Sequence, residues 1–174
     1  MTIQFGTYSG GSFTLNPDKA AQTITVDASK SSLAGVRDAI NSANAGVSAS
    51  IINDGTGNRL VITAKDSGVA NALKITVSDN DLTHTDNAGL SQLAYDAATG
   101  GVMNLTQTVA AQNATLVIDG ITISKPSNVI SDAIEGVTLN LLKINTPGAT
   151  TLSVSRDPAR RSGARATPAA SCCK

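Results

Sequence analysis

Aromatic side chains are nearly missing from this chain of 174 residues, which has two Phe, two Tyr and no Trp. Its cores must be assembled from Val, Ile, Leu and Ala, and the stacking platforms of single-stranded nucleic-acid binders are not there. Cysteine is confined to Cys172-Cys173. Adjacent cysteines cannot form a strain-free bridge, and with no third Cys there is neither a disulfide framework nor a zinc set. Long apolar runs are lacking as well: none approaches the roughly 20 residues of a membrane span. Met1–Phe5 has neither the basic nor the apolar region of a secretory signal. The chain opens instead on what reads as a strand already under way, as an excised fragment would.

Acidic side chains disappear after Asp157, and this split hides behind a formal net charge of zero. Residues 1–157 hold 9 basic and 13 acidic side chains, a net of −4, and the last 17 residues hold Arg160, Arg161, Arg165 and Lys174. A mildly acidic body is a poor partner for a phosphate backbone. Twelve of the acids are Asp and one is Glu135. Asp suits turns and caps where Glu suits helix surfaces, which points to a chain of strands and turns.

What is present is organised around residues 31–66. Ser31 or Ser32 can cap a helix running from Leu33 to about Asn44, with Leu33, Val36, Ile40 and Ala43 on one apolar stripe. Gly46 stands where a helix commonly ends in a left-handed residue. Val47, Ala49 and Ile51 then alternate with serines, and Leu60, Ile62 and Ala64 alternate beyond the turn Asp54–Asn58. The pattern predicts a helix laid across an antiparallel hairpin.

Before it, Ile3 and Phe5, Phe13 to Leu15, and Thr23 to Val26 read as short strands, with Gly6 to Gly11 a loop. After it, Leu73 to Val77 supplies another strand. From Ser78 to about Ala111 periodicity dissolves into Asp, Asn, Ala, Gly and Thr, and the stretch reads as a long crossover or linker. Order resumes at Ala114, where Leu116 and Ile118, then Ile121 and Ile123, flank Asp119-Gly120, a strong hairpin signal. Ser127 or Asn128 then caps a predicted short helix carrying Val129, Ile130, Ala133 and Ile134, stopped by Gly136. Strands follow at Val137 to Leu141 and at Leu152 and Val154.

The two ordered regions share a plan, each with a helix containing Asp-Ala-Ile (Asp38-Ala39-Ile40; Asp132-Ala133-Ile134) followed by Gly-Val and a strand. The expected fold is α+β and β-rich, in two small modules, each of antiparallel strands or hairpins with one helix packed on them. Residues 1–97 form the first module and 98–157 the second, to which a strand from 1–15 could also belong. Residues 158–174 change composition abruptly and read as a disordered tail, vector-derived or frame-shifted.

Candidate chemistry is thin. The one histidine, His84, lies in Asp79–Asp86, but a calcium loop counted from Asp79 would want Gly where His84 stands and Glu where Leu90 stands. A solvated acidic loop fits better. Ser and Thr abound without a base beside them, and no Gly-x-Ser-x-Gly elbow occurs. Gly55-Thr56-Gly57 lacks the rest of a phosphate-binding signature, while Asn104-Leu105-Thr106 and Asn113-Ala114-Thr115 match the glycosylation acceptor pattern. These residues support no enzyme, no metal and no cofactor.

The stretch from Ile24-Thr25-Val26 through Ser32–Asn41 to Ala45–Ile51 resembles the motif inserted in bacterial flagellar axial proteins. Ala111–Gly120, with Ser127-Asn128 and Gly136–Leu139, narrows the resemblance to the flagellar filament cap family, also called hook-associated protein 2. The resemblance covers most of residues 1–157. It implies head domains of a structural protein, exported through the flagellar type III apparatus without a cleavable signal and located outside the cell at the filament tip. There it would meet flagellin and other copies of the cap, and a head of this kind could also meet host surface ligands. No catalytic residue carries over. The family's terminal helices, where ring contacts are expected, are missing from this sequence, so the fragment alone is expected to be monomeric. Another axial protein, such as a flagellin or a junction protein, and a host-directed adhesin head are the alternatives.

Overall fold

The computed structural model describes residues 1–144, and the elements below lie within Met1–Asn140. The fold is α+β and β-rich, as the patterning predicts. Its central strand is β1, Thr2–Ser9, whose alternation buries Ile3 and Phe5. A turn at Gly10 and Gly11, both at positive φ, returns the chain into β2, Ser12–Leu15. Two residues at positive φ make the tight turn that matches strand twist. The stretch predicted as a loop from Gly6 to Gly11 is therefore strand as far as Ser9. Thr7 pairs with Thr14 and Tyr8 with Phe13, whose rings stand 4.7 Å apart.

A two-residue strand β3, Gln22–Thr23, continues along the same edge of β1, and β6, Ala72–Thr76, pairs antiparallel along the other. So β1 belongs to the first sheet. Helix α1, Leu33–Ser42, starts where the sequence indicates, with Ser32 Oγ accepting the Gly35 N–H at 3.1 Å. Its buried side chains are Ala39 and Ile40, whereas Leu33 and Ala43 at the ends of the expected stripe are exposed. Strands β4, Val47–Asn53, and β5, Asn58–Ala64, form the predicted hairpin in register. Asn41 ties helix to hairpin, because its amide both donates to Ala49 O and accepts from Ala49 N, each at 2.8 Å. Gly46, at φ 73°, leaves room for the Phe5 ring, which a Cβ there would meet at 2.8 Å.

The central segment is not a linker. Ile75 exchanges both backbone hydrogen bonds with Tyr95, and Tyr95 bridges in turn to Met103, so two further rungs extend the sheet beyond β6. Ala94 and Tyr95 are buried in the core beside Ile3, Ile24 and Ile75, and Val102 and Leu105 pack against it. Single bridges have no period, which is why patterning cannot register them.

Strands β7, Ala114–Ile118, and β8, Ile121–Lys125, meet at Asp119-Gly120, both at positive φ, as the sequence predicts. The helix expected over Val129–Ile134 is instead β9, paired antiparallel with β10, Val137–Asn140. Three causes favour the strand. The stretch carries β-branched Val129, Ile130 and Ile134, Gly136 ends it within two turns, and the Ser127 hydroxyl accepts the N–H of Val129, only two residues on. The matching Asp-Ala-Ile tripeptides thus sit in a helix and in a strand. The predicted strand at Leu152 and Val154 lies outside the described residues, as does the tail with Cys172-Cys173.

Candidate functional site

Each polar cluster singled out in the sequence closes on itself. At the β4–β5 turn, the Asp54 carboxylate accepts the Thr56 hydroxyl at 2.7 Å, the Thr56 N–H at 2.9 Å and the Gly57 N–H at 3.0 Å, and pairs with Arg59. The Thr56 hydroxyl and the Arg59 guanidinium hold its carboxyl well below the usual carboxylate range. The amides of Thr56 and Gly57, which a phosphate would need, are already bound to Asp54.

The acidic loop is also an internal latch. Asp79 Oδ2 accepts the Ser91 hydroxyl at 2.8 Å and the Ser91 N–H at 3.1 Å, which lowers the Asp79 pKa. The Asp79 N–H donates to His84 Nδ1 at 3.2 Å. Asn104 Nδ2 donates to Ser91 O at 2.8 Å and to Asp86 O at 2.5 Å, so this glycosylation-pattern asparagine is occupied. The other, Asn113, accepts the Val69 N–H through Oδ1 at 2.9 Å. Among the described residues no three His, Cys, Asp or Glu side chains are placed to hold a metal ion.

Lys74 and Asp96 form a half-covered ion pair, 2.7 Å apart, beside Tyr8 and Phe13. Burial works against the charged carboxylate, but the Lys74 ammonium and the Ala98 N–H outweigh it, and the Asp96 pKa is lowered. The pair joins β6 to the central segment, a structural task that sequence separation concealed.

Exposed apolar side chains are what remains for recognition. Leu82 is 84% exposed in the acidic loop, and Val117 and Ile121 are 63% and 67% exposed on the β7–β8 hairpin. Val109 and Val129 are exposed too. Single exposed apolar side chains of this kind are ordinary on a protein surface and offer contact area but no reactive group.

Comparison with known proteins agrees with this arrangement. The family described as "Flagellin hook IN motif" matches residues 7–66, which include β2, α1 and the β4–β5 hairpin. The family described as "Flagellar hook-associated protein 2 C-terminus" matches residues 111–162, starting just ahead of β7. The crystal structure of FliD (HAP2) from Pseudomonas aeruginosa superposes with a TM-score of 0.66 at 31% identity, covering 97% of this chain and 80% of that one. The chain belongs to the flagellar hook-associated protein 2 family. Other members of that family extend the likeness. The flagellar cap protein FliD D1-D2-D3 domains from Escherichia coli give a TM-score of 0.77 at 41% identity, over 95% of this chain and 42% of that one. The B-type flagellar hook-associated protein 2 of P. aeruginosa is 41% identical over 149 residues, 82% of this chain. The chain spans 31% of the length of that hook-associated protein 2 and 23% of its counterpart in E. coli K12.

Proposed function

We propose that this chain is the head region of a flagellar filament cap, a structural protein at the filament tip that promotes the polymerisation of flagellin outside the cell. The likeness that carries this reading is the P. aeruginosa FliD structure, of which four-fifths is covered. The self-contained polar clusters support it, since each is consumed in holding loops rather than offered to a substrate. Flagellin and further copies of the same protein are the proposed partners, with export by the flagellar route without a cleaved signal. The decisive experiment supplies the full-length parent protein to a motile species deleted for its own cap. Restored swimming with filaments of normal length supports the reading, and unpolymerised flagellin shed into the medium despite expression overturns it.

The match over residues 7–66 gives a second reading, another flagellar axial protein, which the match over 111–162 disfavours. Under that reading the parent would restore filament or junction formation instead. A host-directed adhesin role predicts loss of host-cell binding, with swimming intact, when the exposed apolar residues are changed. The fragment itself is proposed to be monomeric at micromolar concentration, and a defined pentamer or hexamer by light scattering would overturn that.

We also propose two modules. The first closes within 106–112 rather than at residue 97, because Val102 and Leu105 pack against the first core. Limited proteolysis is expected to cut there, where Thr106–Ala110 are all exposed, before it cuts the hydrogen-bonded segment ahead of it.

A further inference from the structure

The open end of the β7–β8 hairpin plugs into the first region. Ala114 pairs with Lys125 in the last rung of that ladder, so Asn113 and Pro126 stand opposite one another one rung beyond it. Both meet the turn at residues 67–69. Asn113 Oδ1 accepts the Val69 N–H at 2.9 Å, and the Pro126 carbonyl accepts the Ser67 hydroxyl at 2.6 Å, across 44 and 59 residues of chain. Between these two bonds sits Gly68, at φ 99°, where a Cβ would come within 2.5 Å of Pro126 Cβ and 2.9 Å of its Cα. Only glycine combines that backbone angle with so close an approach.

Each side of the contact is braced within its own region. Asn71 donates its N–H to Gly68 O at 2.9 Å and its side-chain amide to Ser67 O at 2.5 Å. Asn16, directly after β2, donates Nδ2 to Ala70 O at 3.1 Å and so ties the turn to the first sheet. On the hairpin side, Asn113 Nδ2 donates to Ser124 Oγ at 3.3 Å, which directs Oδ1 toward Val69. The Pro126 ring fixes its own φ. We propose that this turn and the hairpin base form a docking joint, which sets one orientation of β7–β8 on the first sheet and opens without unfolding either part. The contact is small, and Ser67, Asn113 and Pro126 are exposed. An interface of that size leaves relative motion as the default between separate domains. Here residues 106–112 tether the two parts, and a short tether holds the hairpin at an effective concentration of roughly millimolar. A contact too weak to join separate chains therefore closes within one chain. Two hydrogen bonds and one backbone approach hold it, so losing those three alone releases the hairpin.

The test places spin labels on exposed positions of the two parts, Ser50→Cys on β4 and Thr122→Cys on β8, in the full chain carrying Cys172→Ser and Cys173→Ser. Pulsed dipolar spectroscopy is expected to give one narrow distance distribution. Asn113→Ala removes only the acceptor, and Gly68→Ala closes the socket. Each is expected to broaden the distribution and to speed amide exchange at Val69 by about tenfold or more, while the amides of β4–β5 and β7–β8 stay protected. Inserting Gly-Ser-Gly-Ser after Thr108 is expected to leave the distribution narrow, because the joint rather than the tether sets the orientation. A broad distribution in the chain without these changes, no broadening in Asn113→Ala, or broadening by the insertion equal to that of Gly68→Ala overturns the joint. Where Gly68→Ala also exposes the β4–β5 amides, Asn113→Ala decides alone.

Discussion

The sheet built on β1 and the two hairpins β7–β8 and β9–β10 are made of similar residues but bury them very differently. Around β1, Ile3, Phe5, Ile40, Val47 and Ile75 are all buried, because a helix and a second hairpin cover one face and the central segment widens the sheet. In the later hairpins only Ile130 reaches that degree of burial, and Leu116, Ile123 and Leu139 stay half-covered. Alternating apolar residues are therefore not sufficient for a core. A two-stranded ribbon needs a third layer to bury its inner face, and in the first region α1 and its Asn41 clamp supply it.

The sharpest way to break this comparison is Ile40→Asp. It places a charge at the fully buried position of α1 and is expected to unfold the first region at a cost of about 4 kcal/mol or more, read as loss of the cooperative transition in denaturant. Ile130→Ala comes next, at about 2–4 kcal/mol. Its effect should stay in the later hairpins, seen as faster amide exchange in β7–β10 while α1 and β4–β5 remain protected. Equal loss in both regions would mean that they fold as one unit.

Acid titration gives a smaller effect confined to the first region. The folded Asp96 pKa is lowered, so the contribution of the Lys74 pair is complete above the unfolded carboxyl value near about 4. It is lost as pH falls through the lower, folded value. Asp96→Asn should flatten the fall in stability over that acidic window and leave the hairpins' response unchanged, measured by urea midpoints at several pH values. Arg37→Ala is the smallest. Arg37 pairs only with the neighbouring exposed Asp38, so a change within about 0.5 kcal/mol is expected. An effect approaching that of Ile40→Asp would show that the helix packs on a different face.

Local signals were legible where chemistry within a few residues decides the outcome. Ser32 caps α1, and Asp119-Gly120 forms its turn, because a hydroxyl beside a free N–H and a backbone that tolerates positive φ are properties of the residues themselves. The alternation of β4 and β5 fixed their register for the same reason. Tertiary structure alone decided the rest. It set Tyr95 and Met103 as rungs of the first sheet and joined Lys74 to Asp96 and Asp79 to Ser91. Those outcomes depend on partners well separated along the chain, whereas Asp-Ala-Ile is helix at 38–40 and strand at 132–134 because a tripeptide's weak propensity yields to its immediate neighbours, here the β-branched residues and Gly136 that pair β9 with β10.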